Sequence, residues 1–149
     1  MSESGADGGY EVDPGRGVAK AVNLPDDQRS YAAWIHWGSL IAWVSVPFST
    51  GIAFFVPPLV ALVMWQIKKT DHPFIDDHGR EALNFQISLI IIGILLIPVA
   101  VLTCGIGAVL YLAPTVLGIV GGILAGLAAN RGEYFRYPAC IRVISGPRP

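Results

Sequence analysis

The sequence lacks charged side chains over two long stretches. No Asp, Glu, Lys or Arg occurs in the 38 residues 30–67 or in the 49 residues 82–130, although the 149-residue chain holds 10 Lys and Arg and 11 Asp and Glu. Hydrophobic residues make up 53% of the chain and charged residues only 14%. Soluble domains contain about 25% charged residues, so this distribution argues against an ordinary soluble domain and predicts a membrane protein.

Cysteine and concentrated positive charge are also scarce. The two cysteines, Cys104 and Cys140, form no CxxC or Cys/His zinc spacing, so neither a disulfide framework nor a zinc site is expected. The net charge is −1 and the basic residues are interleaved with acidic ones, which argues against a nucleic-acid partner. No cofactor is predicted, and the lipid bilayer is the expected partner.

Each uncharged stretch is long enough to cross a bilayer twice. A helix rises about 1.5 Å per residue, and one crossing takes about 20 residues. Helix-breaking residues interrupt both stretches near their middle, at 47–51 and at 103–107. The sequence therefore predicts an all-α fold, an integral membrane four-helix bundle made of two transmembrane hairpins. The spans are expected at about residues 31–46, 52–67, 83–102 and 108–129.

Prolines leave two details of these spans open. Pro57 and Pro58 lie either in the first turn of the second helix, where backbone donors lack helical partners anyway, or in a re-entrant segment over residues 47–58. Pro98 and Pro114 are expected to kink the third and fourth helices, unless Pro114 marks a late start of the fourth.

The basic residues predict the orientation. With four spans, all 10 Lys and Arg lie on one side, before the first span, in the loop 68–82 or after the last span, whereas three spans would split them. Because Lys and Arg are enriched in cytoplasmic loops, we expect a multi-pass protein of the bacterial inner (cytoplasmic) membrane with both termini in the cytoplasm. A disordered cytoplasmic leader (1–27) would precede the membrane domain (28–144), and a short tail (145–149) would follow it.

The fourth span carries a row of small residues. Gly118, Gly122 and Gly126 recur every four residues, and Gly121, Ala125 and Ala129 form a second row. Such rows allow helices to approach closely in lipid. The row therefore predicts helix packing, either within the chain or against a second copy.

One ionisable residue lies inside a predicted span. His36 is about 9 Å past Ser30 by helical rise, close to the cytoplasmic boundary. Gln66, Asn84, Gln86 and Asn130 approach the same level from the other three spans. We expect a polar layer there, in which His36 is either satisfied structurally or handles protons or ions.

The loop segment HPFIDDHGREALNFQ, residues 72–86, contains the side chains of a candidate metal site. His72, Asp76, Asp77, His78 and Glu81 offer nitrogen and oxygen ligands, but their spacing matches no established metal motif. A helix start explains more of these residues: Asp76 or Asp77 would cap the third helix, and Glu81 would lie near its N-terminus. No metal site is predicted.

Two segments resemble a known family. FIDDHGREALNFQIS and ANRGEYFRYP, in the order given by four spans, resemble segments of a widespread bacterial family of small four-helix membrane proteins of unknown function. That family is often described as similar to the twenty-kilodalton Tic subunit of chloroplast protein import. The resemblance covers residues 28–144 and implies no catalytic residues. Its most specific positions are Trp65, Lys68, Lys69, Phe74, the run from Asp77 to Phe85, the run from Asn130 to Tyr134, and Arg136, Tyr137 and Pro138.

The same two segments predict an interaction face at the cytoplasmic boundary. Asp76, Asp77 or Glu81 would meet Arg131, Arg136 or Arg142. The candidate face comprises Asp76, Asp77, His78, Arg80, Glu81, Asn84, Asn130, Arg131, Glu133, Tyr134, Arg136 and Tyr137.

These features favour a non-enzymatic role in assembly, interaction or protein translocation. A homo-oligomer or another membrane protein would be the partner within the bilayer. The alternative is an oligomeric small transporter or pore with His36 in its polar layer. No nucleophile and base pairing occurs within the spans, so no catalytic residues are predicted.

Overall fold

The computed structural model describes residues 9–43 and 52–146. The described residues form four α-helices: α1 (Asp26–Trp43), α2 (Val56–Lys68), α3 (Pro73–Leu102) and α4 (Leu112–Asn130). A 3₁₀ turn (Ile52–Phe55) precedes α2, and another (Ile106–Tyr111) precedes α4. The prediction of a mainly α-helical fold is confirmed. The first predicted interhelical turn, residues 47–51, lies outside the described residues.

Helix α1 is the centre of the arrangement and contacts α2, α3 and α4. Its buried positions Ala32, His36, Ser39 and Trp43 follow the helical period, so one face of α1 points into the protein. Around its N-terminal half lies a core that includes Ile35, Phe74 and Ile75. A second cluster, further along the bundle, contains Trp43, Phe85, Leu89, Ala125 and Tyr137.

The start of α3 differs from the predicted cap. His72 is the N-cap residue, and its Nδ1 accepts a hydrogen bond of 3.0 Å from the backbone N–H of Phe74. Pro73 occupies the first turn, where the missing N–H costs nothing. The prediction that Asp76 or Asp77 caps this helix is therefore wrong, because the helix begins three residues before Asp76. The segment 73–82, predicted as part of a loop, is the first third of α3.

The connection from α3 to α4 is a compact turn. Thr103 ends α3, Cys104 and Gly105 adopt positive φ angles of 52° and 92°, and the chain then enters the 3₁₀ turn. Pro114 lies in the first turn of α4. Of the two predicted outcomes for Pro114, the structure has the late helix start.

The glycine row of α4 lies against α1. Gly118 lies beside Trp43, Gly122 beside Leu40, and Gly126 beside the ring of Trp37. A Cβ atom at Gly126 would lie 2.6 Å from Cε2 of Trp37, so a side chain there would push the helices apart. In the structure, the row packs within the chain.

Part of the leader is ordered, in contrast to the predicted disorder. β1 (Tyr10–Val12) and β2 (Ala19–Ala21) form an antiparallel pair around a turn at Asp13. Residues after α4 extend this pair: the N–H of Tyr134 donates to the carbonyl of Ala19, and the N–H of Ala21 donates to the carbonyl of Gly132, both at 2.9 Å. Because these partners lie more than 100 residues away in the chain, local composition did not reveal the pairing.

Two helices are long and apolar enough to cross a membrane by length and composition: α3, and α4 together with its 3₁₀ turn. A shorter apolar helix covers Ala53–Lys68. Large apolar side chains are exposed along the half of the molecule away from His72. Leu95, Val101 and Leu102 of α3 are 66%, 70% and 83% exposed.

Candidate functional site: a buried polar network at one end of the bundle

The polar end of the bundle is closed by the residues that follow α4. We call residues 131–146 the C-terminal strap. The strap lies across the first half of α3 and is held there by side chains of that helix. Every residue of α3 from Phe74 to Gln86 except Asp76 is buried, although six of the buried residues carry ionisable or amide side chains: Asp77, His78, Arg80, Glu81, Asn84 and Gln86.

Three buried side chains form a continuous hydrogen-bonded chain. His36 Nδ1 lies 3.0 Å from the hydroxyl of Tyr137, and His36 Nε2 lies 2.8 Å from His78 Nδ1. His78 Nε2 lies 3.2 Å from the backbone carbonyl oxygen of Glu133. We call His36, His78 and Tyr137 the His–Tyr chain. It connects α1, α3 and the strap.

The carbonyl at one end determines the direction of every hydrogen bond in the chain. A carbonyl only accepts, so His78 Nε2 carries a proton and donates to Glu133. In a neutral ring His78 Nδ1 is then an acceptor, and His36 Nε2–H donates to it. His36 Nδ1 accepts in turn from the Tyr137 hydroxyl. Burial lowers the pKa of His78 to about 3, so its ring is neutral, and this order of donors and acceptors has each histidine in the tautomer protonated at Nε2.

Tyr137 retains the proton that this arrangement requires. Burial, together with the negative charge of Glu81, holds the pKa of Tyr137 well above its ordinary value of 10.0. Its ring stacks on Phe85 with centroids 3.8 Å apart, which sets the direction of the hydroxyl toward α1. The phenol is therefore a fixed donor to His36.

Two ion pairs join α3 to the strap. Arg136 donates to both carboxylate oxygens of Asp77, at 2.6 and 2.8 Å, and Arg142 donates to Glu81 at 2.8 Å. Glu81 also accepts a 3.0 Å hydrogen bond from the backbone N–H of Tyr137. The Asp77 and Glu81 side chains are 7% and 6% exposed, so both carboxylates are largely removed from water, whereas their arginine partners are 30% and 28% exposed. These two pairings are among those considered from the sequence.

Two uncharged side chains of α3 bind the backbone of the strap. Asn84 accepts from the N–H of Ile144 at 2.8 Å and donates to its carbonyl at 2.9 Å, as a neighbouring strand would. Ser88, one turn further on, accepts a 2.8 Å hydrogen bond from the N–H of Ile141. Sequence reasoning missed Ser88, because a serine that binds backbone 53 residues away has no local signature.

Other predicted residues of the interaction face have different partners. Asp76 pairs with Arg80 at 3.0 Å and accepts from the indole N–H of Trp65 at 2.8 Å. Arg131 pairs with Glu133, and Asn130 is exposed. Among the amides predicted to share the layer with His36, Gln86 accepts a 3.1 Å hydrogen bond from the Trp43 indole. His36 itself is paired with His78 and Tyr137.

Glu133 connects the strap to the leader. Its carboxylate receives Arg131 at 2.8 Å and Arg16, beside β2, at 2.9 Å. Its neighbour Tyr134 is half-buried against Phe74, and burial raises the pKa of Tyr134 to about 12. Within the part of the chain that the structure describes, no group of three or more His, Cys, Asp or Glu side chains is placed to hold a metal ion.

Glu133 should make the stability of this region depend on pH. Hydrogen bonds from Arg131 and, less strongly, Arg16 hold the pKa of its carboxyl below the ordinary 4.5, although burial opposes the shift. A carboxyl whose pKa is lowered by folding stabilises the protein above its unfolded pKa and loses that contribution as pH falls through the folded pKa. We expect thermal stability to decrease below about pH 4.5, and to decrease less in Glu133→Gln.

Circular dichroism of the detergent-purified protein across acidic and neutral pH would measure this difference. Equal acid sensitivity of the two proteins would show that other carboxyls account for it. Glu11→Gln is the matched control, since Glu11 is an exposed glutamate of β1.

One known protein family matches most of the residues that form this architecture. The model of the magnetosome magnetite crystal formation protein family (MamF/MmsF) matches residues 27–144, which include all four helices except Asp26, and nearly all of the strap. The chain belongs to this family. Both sequence segments that suggested a small bacterial membrane family lie within the match, whereas similarity to the Tic subunit stays a prediction. Searches of curated proteins and of solved structures return no match.

Proposed function

We propose that this chain is a multi-pass membrane protein that takes part in magnetite crystal formation as a non-enzymatic assembly or interaction component. The family match supports the process, because the family is described by magnetosome magnetite crystal formation. The observation that supports the membrane assignment most strongly is the apolar surface of the helices. Apolar side chains are exposed on α2, α3 and α4, while the charged residues gather at the polar end.

The exposed apolar surface suits lipid better than water. Ile94, Leu95, Ile97, Val101 and Leu102 of α3 are each more than half exposed. On α4 and the turn before it, Ile106, Val109, Leu112 and Val116 are likewise more than half exposed. Contiguous apolar surface of this extent is rare on soluble monomers and is what a bilayer requires of its spanning helices.

The length of α3 matches a helix that spans a bilayer and projects from it. Its 30 residues rise about 45 Å, against a hydrocarbon core of about 30 Å. About 20 residues suffice to cross, which leaves the first third, residues 73–82, at the polar boundary. That third carries Asp76, Asp77, His78, Arg80 and Glu81, so the charge pattern and the helix length agree.

An interaction role follows from how the polar end is built. Its buried side chains are hydrogen-bonded or ion-paired with one another. The strap therefore presents a defined surface rather than an open reaction centre. We propose that this surface contacts the membrane boundary and partner proteins of the same process. The translocation role predicted from the Tic resemblance stays a prediction that no comparison supports.

The two native cysteines provide a direct test of the topology. Cys104 is exposed in the turn between α3 and α4, and Cys140 is partly buried on the strap, which binds the first half of α3. In intact spheroplasts we expect a membrane-impermeant maleimide to label Cys104 in Cys140→Ser but not Cys140 in Cys104→Ser. Permeabilised cells should allow labelling of both. The reverse pattern would invert the orientation, and extraction of the protein by alkaline carbonate would refute membrane insertion.

The role in crystal formation is tested by complementation. In a magnetite-forming host that lacks this chain, the wild-type gene should restore crystal size and shape under electron microscopy. Glu81→Leu, which removes the carboxylate that binds Tyr137 and Arg142, should restore them poorly at equal membrane abundance. Full restoration by this variant would show that a docked strap is not needed.

A second candidate function is a small oligomeric transporter, favoured by the His–Tyr chain alone. The His–Tyr chain links three titratable side chains one after another by hydrogen bonds, an arrangement through which a proton can pass. The His–Tyr chain ends at a backbone carbonyl and occupies only the polar half of the bundle. A proton path across the bilayer therefore needs additional groups from other copies of the protein. Unchanged proton flux in proteoliposomes of a folded His36→Leu variant would eliminate this function.

A further inference from the structure

A groove lined by arginines lies between the leader and the end of α4. It is open, has a volume of about 500 Å³, and is bordered by the turn before β2 on one side and by Arg131 to Arg136 on the other. Arg16, Arg131 and Arg136 all line it. Glu133 is the one acidic residue among the groove-lining residues in the described part of the chain.

The acidic residues around the groove hold the arginines in place and leave them accessible. The Glu133 side chain is 6% exposed, whereas Arg16 and Arg131, which both bind it, are 57% and 55% exposed. Asp13 also pairs with Arg16, and buried Asp77 pairs with Arg136. A guanidinium has five N–H donors and a carboxylate occupies at most two or three, so the exposed groups retain donors for an anion.

The groove adjoins an apolar notch on α4. Leu124 and Phe135 line both the groove and a smaller cavity of about 70 Å³, which also contacts Leu117 and Val120. Leu117 lies about two helical turns, roughly 10 Å, from Leu124, in the direction of the proposed bilayer interior. The combined site therefore has an arginine-lined end at the polar boundary, where Asp13, Glu133 and Asp77 balance the charge and exposed N–H donors remain, and an apolar end along a proposed span.

We propose that this site binds an anionic phospholipid. The phosphate would accept hydrogen bonds from Arg16 and Arg131, and one acyl chain would lie along Leu117, Val120 and Leu124. Phosphate oxygens are the ligands that an arginine fork recognises best, and only a lipid supplies an apolar chain beside them. The inference rests on the proposed membrane location.

Native mass spectrometry of the detergent-purified full chain tests the site. The chain is titrated with phosphatidylglycerol or with phosphatidylcholine that has identical acyl chains. We expect a preference for phosphatidylglycerol, because the cationic choline of phosphatidylcholine offsets the charge of its phosphate. Arg16→Gln/Arg131→Gln should lose roughly tenfold in apparent affinity for phosphatidylglycerol and less for phosphatidylcholine. Glu133→Gln should bind phosphatidylglycerol more tightly, because it removes a negative charge from the groove.

Controls separate the site from general charge and from misfolding. Arg29→Gln removes a basic residue of the polar end that does not line the groove, and should leave lipid binding unchanged. Arg16→Lys/Arg131→Lys keeps the charge and should retain part of the preference, which a merely misfolded variant would not. Leu117→Ser should weaken phosphatidylglycerol binding through the notch alone, because Leu117 lines the notch and not the groove.

Three results would overturn the inference. They are equal binding of the two lipids, an unaffected double glutamine variant that is folded by circular dichroism, and displacement of phosphatidylglycerol by inorganic phosphate at equal concentration. The last would indicate a phosphate site without a role for the acyl chain. Retention in the membrane after carbonate extraction, without lipid preference, would refute this inference and leave the proposed function intact.

Discussion

Replacing His78 with leucine should destabilise the protein by roughly 2–5 kcal/mol, because it leaves two buried polar groups without partners. His36 Nε2–H loses its acceptor and the Glu133 carbonyl loses its donor. Both histidines are essentially inaccessible to solvent, with 1% and 0% exposure, so water cannot replace these contacts without an opening of the core. Unfolding of the purified protein in mixed micelles, followed by tryptophan fluorescence, measures the loss.

A double-mutant cycle distinguishes the hydrogen-bonded chain from simple packing. In His36→Leu/His78→Leu the bond between the two rings disappears from both sides, so the combined loss should be clearly smaller than the sum of the single losses. His72→Asn is a suitable control, since asparagine also caps helices and His72 lies outside the chain. Strictly additive losses would show that the two histidines act independently.

Replacing Glu81 with leucine should release the strap, at a cost of roughly 2–4 kcal/mol. The variant leaves the buried N–H of Tyr137 unpaired and removes the carboxylate that binds Arg142. Arg142 is 28% exposed and can recover water, so most of the cost arises at Tyr137. Limited trypsin digestion reports the release, because cleavage after Arg136 and Arg142 requires the strap to leave α3.

Two further variants define what Glu81 contributes. Glu81→Gln keeps an acceptor for the Tyr137 N–H and loses only the charge, so its digestion rate should lie between those of the wild type and Glu81→Leu. Asp71→Asn removes an exposed, 3.7 Å ion pair with Lys68 and should change stability by less than about 0.5 kcal/mol. Equal digestion of Glu81→Leu and the wild type would mean that Asn84 and Ser88 hold the strap without it.

Local patterns in the sequence accounted for the helices and for part of the site. The uncharged runs and their Gly and Pro interruptions indicated where helices lie, because hydropathy and backbone breakers act within a few residues. The spacing of Gly118, Gly122 and Gly126 indicated close helix packing, and the structure places that row against α1. Opposite charges in two segments narrowed the pairing of α3 with the strap to a few choices, including Asp77–Arg136 and Glu81–Arg142.

The errors have an equally specific origin. The leader hairpin was predicted to be disordered because β1 and β2 contain few apolar residues, whereas their order depends on backbone pairing with Gly132 and Tyr134. Asp76 or Asp77 was expected to cap α3, whereas the ring of His72 caps it. His36 was expected in a polar layer with amides, and its actual partners could not be identified from spacing.

By itself, the sequence determined that this is a helical, strongly apolar chain whose charges fall outside two long uncharged runs, since those properties depend on residue type and on neighbours a few positions away. Only the tertiary structure decided that His36 and Tyr137, 101 residues apart, share a hydrogen bond, and that His78 completes the chain. Burial made these contacts obligatory: once α1, α3 and the strap exclude water, each polar group must find a partner that the fold, and not the local sequence, supplies.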